Sequence, residues 1–137
     1  MAYKIVVLAI HGLGDTPRTY ADNYKKKLDK KVGSKCLSIY FDSIYYADIF
    51  QKHQKDIFTR IKAQDDIDWI GLRQFLLYGF SDAAGFERRA WLPGSSYEQV
   101  QNSILDVLDK AYDAVGSNVI IVLIAHSLLC HVISNFI

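Results

Sequence analysis

The chain has two cysteines, Cys36 and Cys130. Both lie in or beside apolar segments and not in the spaced framework of a disulfide scaffold, which predicts buried, reduced thiols and no disulfide. Long apolar runs are lacking as well. Nothing approaches the ~20 residues that a bilayer-spanning helix needs, so no membrane span is expected. Met1-Ala2-Tyr3-Lys4 passes straight into a short apolar segment, without the marks of a secretory leader or an acylation signal. The expected location is therefore the cytoplasm. Neither charge is in excess: the formal net charge is +1, with the signs interspersed. That sets up no large field, so nucleic acid and acidic surfaces are not expected as partners. Repeats and low-complexity segments are also absent, which leaves one domain of 137 residues, long enough for a core.

What the chain does have is concentrated near its two ends. Val119-Ile120-Ile121-Val122-Leu123-Ile124 is six apolar residues in a row, mostly β-branched, and reads as a strand buried on both faces. Ala125-His126-Ser127-Leu128-Leu129 follows as a tight turn, and the residues after Ser127 can continue as a helix. A serine there is either the helix N-cap or a nucleophile lifted clear of the sheet by a sharp strand-to-helix turn. Near the start, the apolar run at 5–10 reads as a strand that ends in His11-Gly12-Leu13-Gly14-Asp15. A turn bracketed by glycines lets backbone amides come close to a developing negative charge.

Between these ends the spacing is mostly helical. Thr16-Pro17 reads as an N-cap and first helical residue, and Gly33 as a stop, predicting a helix over 17–32. Tyr20, Tyr24, Leu28 and Val32 would face a sheet, while the lysines among them, interrupted by Asp22 and Asp29, read as a solvated face. A strand is expected at 36–41, joined to the first by a right-handed parallel crossover. Helices are expected at 44–63 and 66–80, within an insertion over 42–95 punctuated by Gly79, Gly85 and Pro93-Gly94. The aromatic residues of that insertion either line an apolar pocket as a cap or pack the insertion onto the core. Ser96-Tyr97-Glu98-Gln99 is a capping box that opens a helix over 97–115, closed by Gly116. The alternation predicts an α/β chain, a three-layer sandwich with a short parallel sheet. Asp65, Asp66 and Asp68 read as a helix N-terminus enriched in acids and not as a metal loop. His126 and His131 do not share a helical face, so no metal site is expected. His53 reads as an exposed residue, and His11 as shaping its loop by hydrogen bonding and not acting as a base.

The His-Gly-Leu-Gly-Asp string and the Ala-His-Ser-Leu turn together resemble the α/β-hydrolase superfamily, in particular its lipase, esterase and acyl-protein thioesterase-like members. The resemblance implies an α/β-hydrolase fold ending soon after the nucleophile elbow, with the first strand between the other two and the active face at the strands' C-terminal ends. It implies Ser127 as nucleophile, the backbone N–H groups of Leu13 and Leu128 as oxyanion donors, and His11, Gly12, Gly14 and His126 around the substrate. The substrate would be a small acyl ester or thioester, with no cofactor and no metal. Two positions depart from the pattern: Ala125 and Leu129 stand where glycines flank the serine. Leu129 is expected to find room or to displace the backbone, at about 1–3 kcal/mol. The family's acid and histidine follow the nucleophile, and ten residues follow Ser127 here, so a weak or inactive enzyme is expected. The alternative is a catalytically dead remnant that serves as an oligomerising interaction module. In either case a homodimer is expected to cover the strand edge at 119–124.

Overall fold

A computed structural model describes residues 5–63, 69–87 and 92–137. Its framework is a parallel sheet of β1 (Ile5–Ile10), β2 (Ile39–Ile44) and β3 (Ile120–Ala125), in the order β2-β1-β3. Ile5 pairs with Ile39 on one side and Ile120 on the other, and Ile10 with Ile44 and Ala125, so the three strands end level at one rim. Helices flank the sheet: α1 (Asp22–Val32), α2 (Ala47–Lys62), α3 (Ile70–Glu87), α4 (Ser96–Val115) and α5 (Leu129–Phe136). This is an α/β fold, with β1 central as expected.

Side-chain alternation along β1 builds the core. Val6, Leu8 and Ile10 point to one face, where Val100, Ile104 and Ala111 of α4 and Leu129, Val132 and Ile133 of α5 meet them. Each such aliphatic side chain contributes about 1.5–3 kcal/mol by leaving water. The stripe of α4 is the amphipathic pattern of the sequence. Its cap lies one residue earlier than expected: the Ser95 hydroxyl accepts from the Glu98 N–H at 3.1 Å, and the Glu98 carboxylate accepts from the Gly94 N–H. Ser95 is therefore the cap and Glu98 its partner, in place of Ser96 and Gln99. Gly116, with φ 80°, ends the helix as the sequence indicated.

Other expectations are corrected. The helix after the His-Gly loop begins at Asp22 and not at Pro17; Thr16 does not cap it, its hydroxyl donating instead to the Gly14 carbonyl at 3.4 Å. α1 buries none of its residues, so the Tyr24-Leu28-Val32 stripe does not seat on the sheet, and Tyr24 is about half exposed. Cys36 lies in a 3₁₀ helix, Gly33–Ser38, that displaces the start of β2 to Ile39. α3 runs through Gly79 and Gly85 to Glu87, because a helical glycine costs only about 1 kcal/mol and is no stop by itself. β3 is not buried on both faces: as an edge strand it leaves Ile120 67% and Ile121 49% exposed. Cys130 is exposed and Cys36 half-buried, not buried. Cys130 sits on the side of α5 turned away from Leu129, Val132 and Ile133, which take the core positions.

Within the insertion Phe50 and Tyr78 are buried, and Tyr78 meets Phe58 edge-on with centroids 6.2 Å apart. Trp69, Leu72, Phe75 and Leu76 are exposed, so they do not pack the insertion onto the core. The acids at 65, 66 and 68 lie outside the described residues, as does the side chain of His53. Among the described residues no helix is long and apolar enough to cross a membrane.

Candidate functional site

Two loops meet at the rim where the strands end. After β3, Ser127 takes φ 60°, a left-handed backbone that costs a residue with a side chain about 1–3 kcal/mol. It is exposed, and α5 begins without its help: the N-cap is Leu128, and no side chain caps the helix. The N-cap reading of Ser127 is thereby excluded. Cys130 N–H donates to the Ser127 carbonyl at 3.0 Å, which closes the turn. The amide of Leu128, in the first turn, lies among those N–H groups that a helix cannot satisfy internally.

After β1, Gly12 comes up against that turn. A Cβ on Gly12 would stand 2.6 Å from His126 Nδ1 and 3.3 Å from the Ser127 Cβ. The glycine lets the two turns approach this closely without displacing the His126 ring. The two motifs from opposite ends of the chain are thus in contact, because β1 and β3 are parallel neighbours with their ends in register.

The loop that carries Gly12 is held by tyrosines. His11 is buried, stacked on Tyr46 with centroids 4.0 Å apart, and the rings of Tyr20 and Tyr45 lie 5.1 Å from it. A carbonyl only accepts, so His11 Nδ1 donates to the Gly12 oxygen at 2.8 Å, while Nε2 accepts the Tyr46 N–H at 3.2 Å. This fixes a neutral Nδ1–H tautomer, and burial lowers the imidazole's pKa below its ordinary value, opposed by the bond to Gly12. The Tyr46 hydroxyl donates to the same Gly12 oxygen at 2.6 Å. In a trans peptide N–H and C=O point opposite ways, so the Leu13 amide faces away from this clamp.

Further ties reach the loop from the end of β2. Tyr45 donates to the Thr16 carbonyl at 2.9 Å, Arg18 pairs with Asp48, and its guanidinium lies 4.7 Å from the Tyr45 ring centre. Tyr20 donates to the carbonyls of Ala9 and Ile44, 2.6 and 3.0 Å away, and burial pushes its pKa up, so it stays a donor. Tyr45 and Tyr46 were not anticipated. They fall inside the helix expected over 44–63, whereas β2 runs to Ile44 and α2 starts only at Ala47, which sets the two tyrosines at the C-terminal end of a parallel strand, where ligands bind.

Leu13, Gly14, Asp15 and Ser127 form one wall of a cavity of about 550 Å³. The opposite wall is α3, through Gly71, Gln74, Phe75, Tyr78 and Gly79. His126 turns elsewhere, into a separate cavity of about 300 Å³ shared with Tyr20 and Tyr24. The structure therefore brings Leu13, Gly14 and Ser127 to one cavity and His11, Gly12 and His126 to the other, with Leu13 lining both. His131 is engaged on its own helix, its Nε2 accepting from the Asn135 amide at 3.2 Å. Among the described residues no group of three or more His, Cys, Asp or Glu side chains is gathered as a metal site would require. Searches against protein-family models, curated proteins and solved structures returned no match to this chain.

Proposed function

We propose that the chain is a serine hydrolase acting on esters or thioesters, built on an incomplete three-layer α/β-hydrolase fold. The observation that carries this reading is Ser127 itself: an exposed serine at φ 60° on a strand-to-helix turn, against the glycine of the His-Gly loop. A residue held in that backbone region costs stability, and such strain collects at working sites. Ser127 Oγ attacks the acyl carbonyl, and the N–H groups of Leu13 and Leu128 receive the oxyanion. His11 acts on Leu13 through the Gly12 carbonyl, and Gly14 leaves room beside it. The chemistry calls on no cofactor. His11 has both ring nitrogens bonded to backbone, and His126 and His131 face elsewhere, so none of the three is placed as the proton acceptor of Ser127. Slow acylation is expected from these residues alone.

A fluorophosphonate probe tests the proposal. Labelling of the wild type that disappears in Ser127→Ala supports it; a wild type that stays unlabelled sinks it. A second reading, a catalytically dead remnant that self-associates, is favoured by the outer edge of β3, which pairs with no other strand among the described residues and exposes Ile120 and Ile121. In that reading a second copy covers the edge. Light scattering at the dimer mass, with slow amide exchange over 120–125, supports it, and a monomer with fast exchange there rejects it.

A further inference from the structure

The acids that interrupt the lysines of α1 in sequence do not interrupt them in space. Asp29 lies one turn from Lys25 and accepts from it at 3.0 Å, and Asp22 opens the helix on that same side. Tyr24, Lys27 and Lys31, spaced by three and then four residues, share another face, with Lys30 beside Lys27. These three lysines are exposed, and no carboxylate among the described residues pairs with them. Like charges four residues apart weaken a helix, so Lys27 and Lys31 oppose the fold that carries them.

That face of α1 borders an uncovered part of the sheet. Tyr24 and Ile124 line the cavity of about 300 Å³ together, so Tyr24 marks the flank of α1 turned towards β3. Alternation puts Ile120, Val122 and Ile124 on one face of β3, level with Ile5, Val7 and Ala9 of β1 and with Ile39, Phe41 and Ser43 of β2. None of these positions carries a charge. Val7 and Ala9 are buried, whereas Ile120, Val122, Ile124 and Tyr24 are exposed. An apolar strip thus lies open along β3 with lysines on its border, and exposed apolar patches with a polar rim mark interaction surfaces.

We propose that this surface docks the chain on an anionic lipid bilayer, the strip entering the boundary between headgroups and acyl chains and Lys27, Lys30 and Lys31 meeting the headgroup charge. A bilayer presents negative charge and an apolar layer side by side, which matches both halves of the surface. A second copy is a poorer fit. A two-fold interface sets the patch against itself and would bring it lysines and aliphatic residues but no carboxylate. Pairing between two β3 edges would continue the sheet and leave this face open. Nucleic acid fits less well too, because branched aliphatic side chains give bases no platform to stack on. The surface shares no residue with the cavity beside Ser127, so it stands or falls independently of the hydrolase reading.

Co-sedimentation of the full chain with lipid vesicles tests this. The wild type is expected to pellet with vesicles of equal parts phosphatidylserine and phosphatidylcholine, to stay in solution with phosphatidylcholine alone, and to bind less as salt is raised. Lys27→Gln combined with Lys31→Gln should weaken binding about 25-fold, about five-fold for each lysine at the surface. Lys25→Gln removes a charge from the other flank and should stay within about two-fold of the wild type, because salt screens charges far from the bilayer. Ile120→Ser should weaken binding about ten-fold through lost apolar burial. All of these side chains are exposed, so the fold is retained, which thermal melting verifies. A wild type that does not pellet with the anionic vesicles overturns the inference, as does a Lys27/Lys31 variant that binds as the wild type does. Undiminished binding by Ile120→Ser, or equal affinity for polyglutamate or duplex DNA, overturns the assignment to lipid and leaves only attraction between charges. A dimer by light scattering that Ile120→Ser dissociates overturns it in favour of a second copy.

Discussion

His11 and Tyr46 lie face to face, their planes within 5° and their centroids 4.0 Å apart, and both donate to the carbonyl of Gly12. Two donors on one oxygen hold the Gly12–Leu13 peptide from a single side, which determines where the Leu13 amide points. Tyr46→Phe keeps the stacked ring and removes one donor. A stability loss of about 1 kcal/mol is expected by thermal melting. The rate of Ser127 labelling should fall about ten-fold, less than for deleting an oxyanion donor outright, because His11 still holds the peptide. An unchanged rate would show that the clamp does not orient the amide.

Acid should loosen the same clamp. Burial among three tyrosine rings lowers the His11 pKa from its ordinary 6.5, so below that pH the unfolded chain binds a proton that the folded chain refuses. The unfolded state then holds more protons, and stability rises with pH. It is fully present above the unfolded pKa and is lost as pH falls from about 6.5 towards the lowered folded value, by at most about 1.4 kcal/mol per pH unit. Once protonated, Nε2 can no longer accept the Tyr46 N–H. Urea titrations of the wild type across this window should show the slope, and His11→Gln should flatten it.

β1 and the rim were legible because their signals are local: a β-branched run that ends in glycines, and an apolar run that ends in a serine turn. Sheet order followed from the resemblance. The start of α1 was not legible, since Thr16-Pro17 has the chemistry of a cap, yet Tyr45 just after β2 and Asp48 in α2 hold that segment through Thr16 and Arg18. Those ties join residues about thirty apart in the chain and leave no periodicity to read. The edge at 119–124 was expected from the resemblance, but the burial of both faces of β3 was not met, because an apolar run has the same composition whether or not a helix covers it. In the site, Ser127, Leu13 and Gly12 were legible as motif positions, whereas the tyrosines that hold them were not.

Gly12 and His126 should be energetically coupled. An alanine at position 12 would set its Cβ 2.6 Å from Nδ1 of His126, closer than carbon and nitrogen allow. His126 is exposed, so its ring can swing aside, and Gly12→Ala should cost only about 0.5–1 kcal/mol. Gly12→Ala made in a His126→Ala background should cost less, and the difference in a double-mutant cycle reads the clash directly. Equal costs in both backgrounds would place the strain instead at the Ser127 Cβ, 3.3 Å away.

Leu129 stands where a glycine was expected from the family pattern, and the anticipated overpacking is not what the structure shows. Its side chain is fully buried and belongs to the core with Val6, Val100 and Val132. The leucine has found room by becoming part of that core. Leu129→Ala should therefore destabilise by about 2–5 kcal/mol, and Leu129→Gly by about 1 kcal/mol more, through the added cost of a helical glycine. Chemical denaturation checks both. A stabilised Leu129→Gly would mean that the side chain does strain the turn.

Ser127 offers the sharpest separation of stability from reactivity. At φ 60° a side chain is strained and glycine is not, while alanine keeps the strain and loses only the hydroxyl. Ser127→Gly should raise stability by about 0.5–1 kcal/mol, the relief of the left-handed backbone being partly offset by the greater freedom of glycine in the unfolded chain. Ser127→Ala should stay within about 0.5 kcal/mol of the wild type, since an exposed hydroxyl contributes little to stability. Both variants should lose all labelling by fluorophosphonate. A serine that is costly to the fold yet necessary for reactivity is what a nucleophile held for its position predicts. If Ser127→Gly is instead destabilising, the turn is comfortable as it stands, and the argument from strain to function fails.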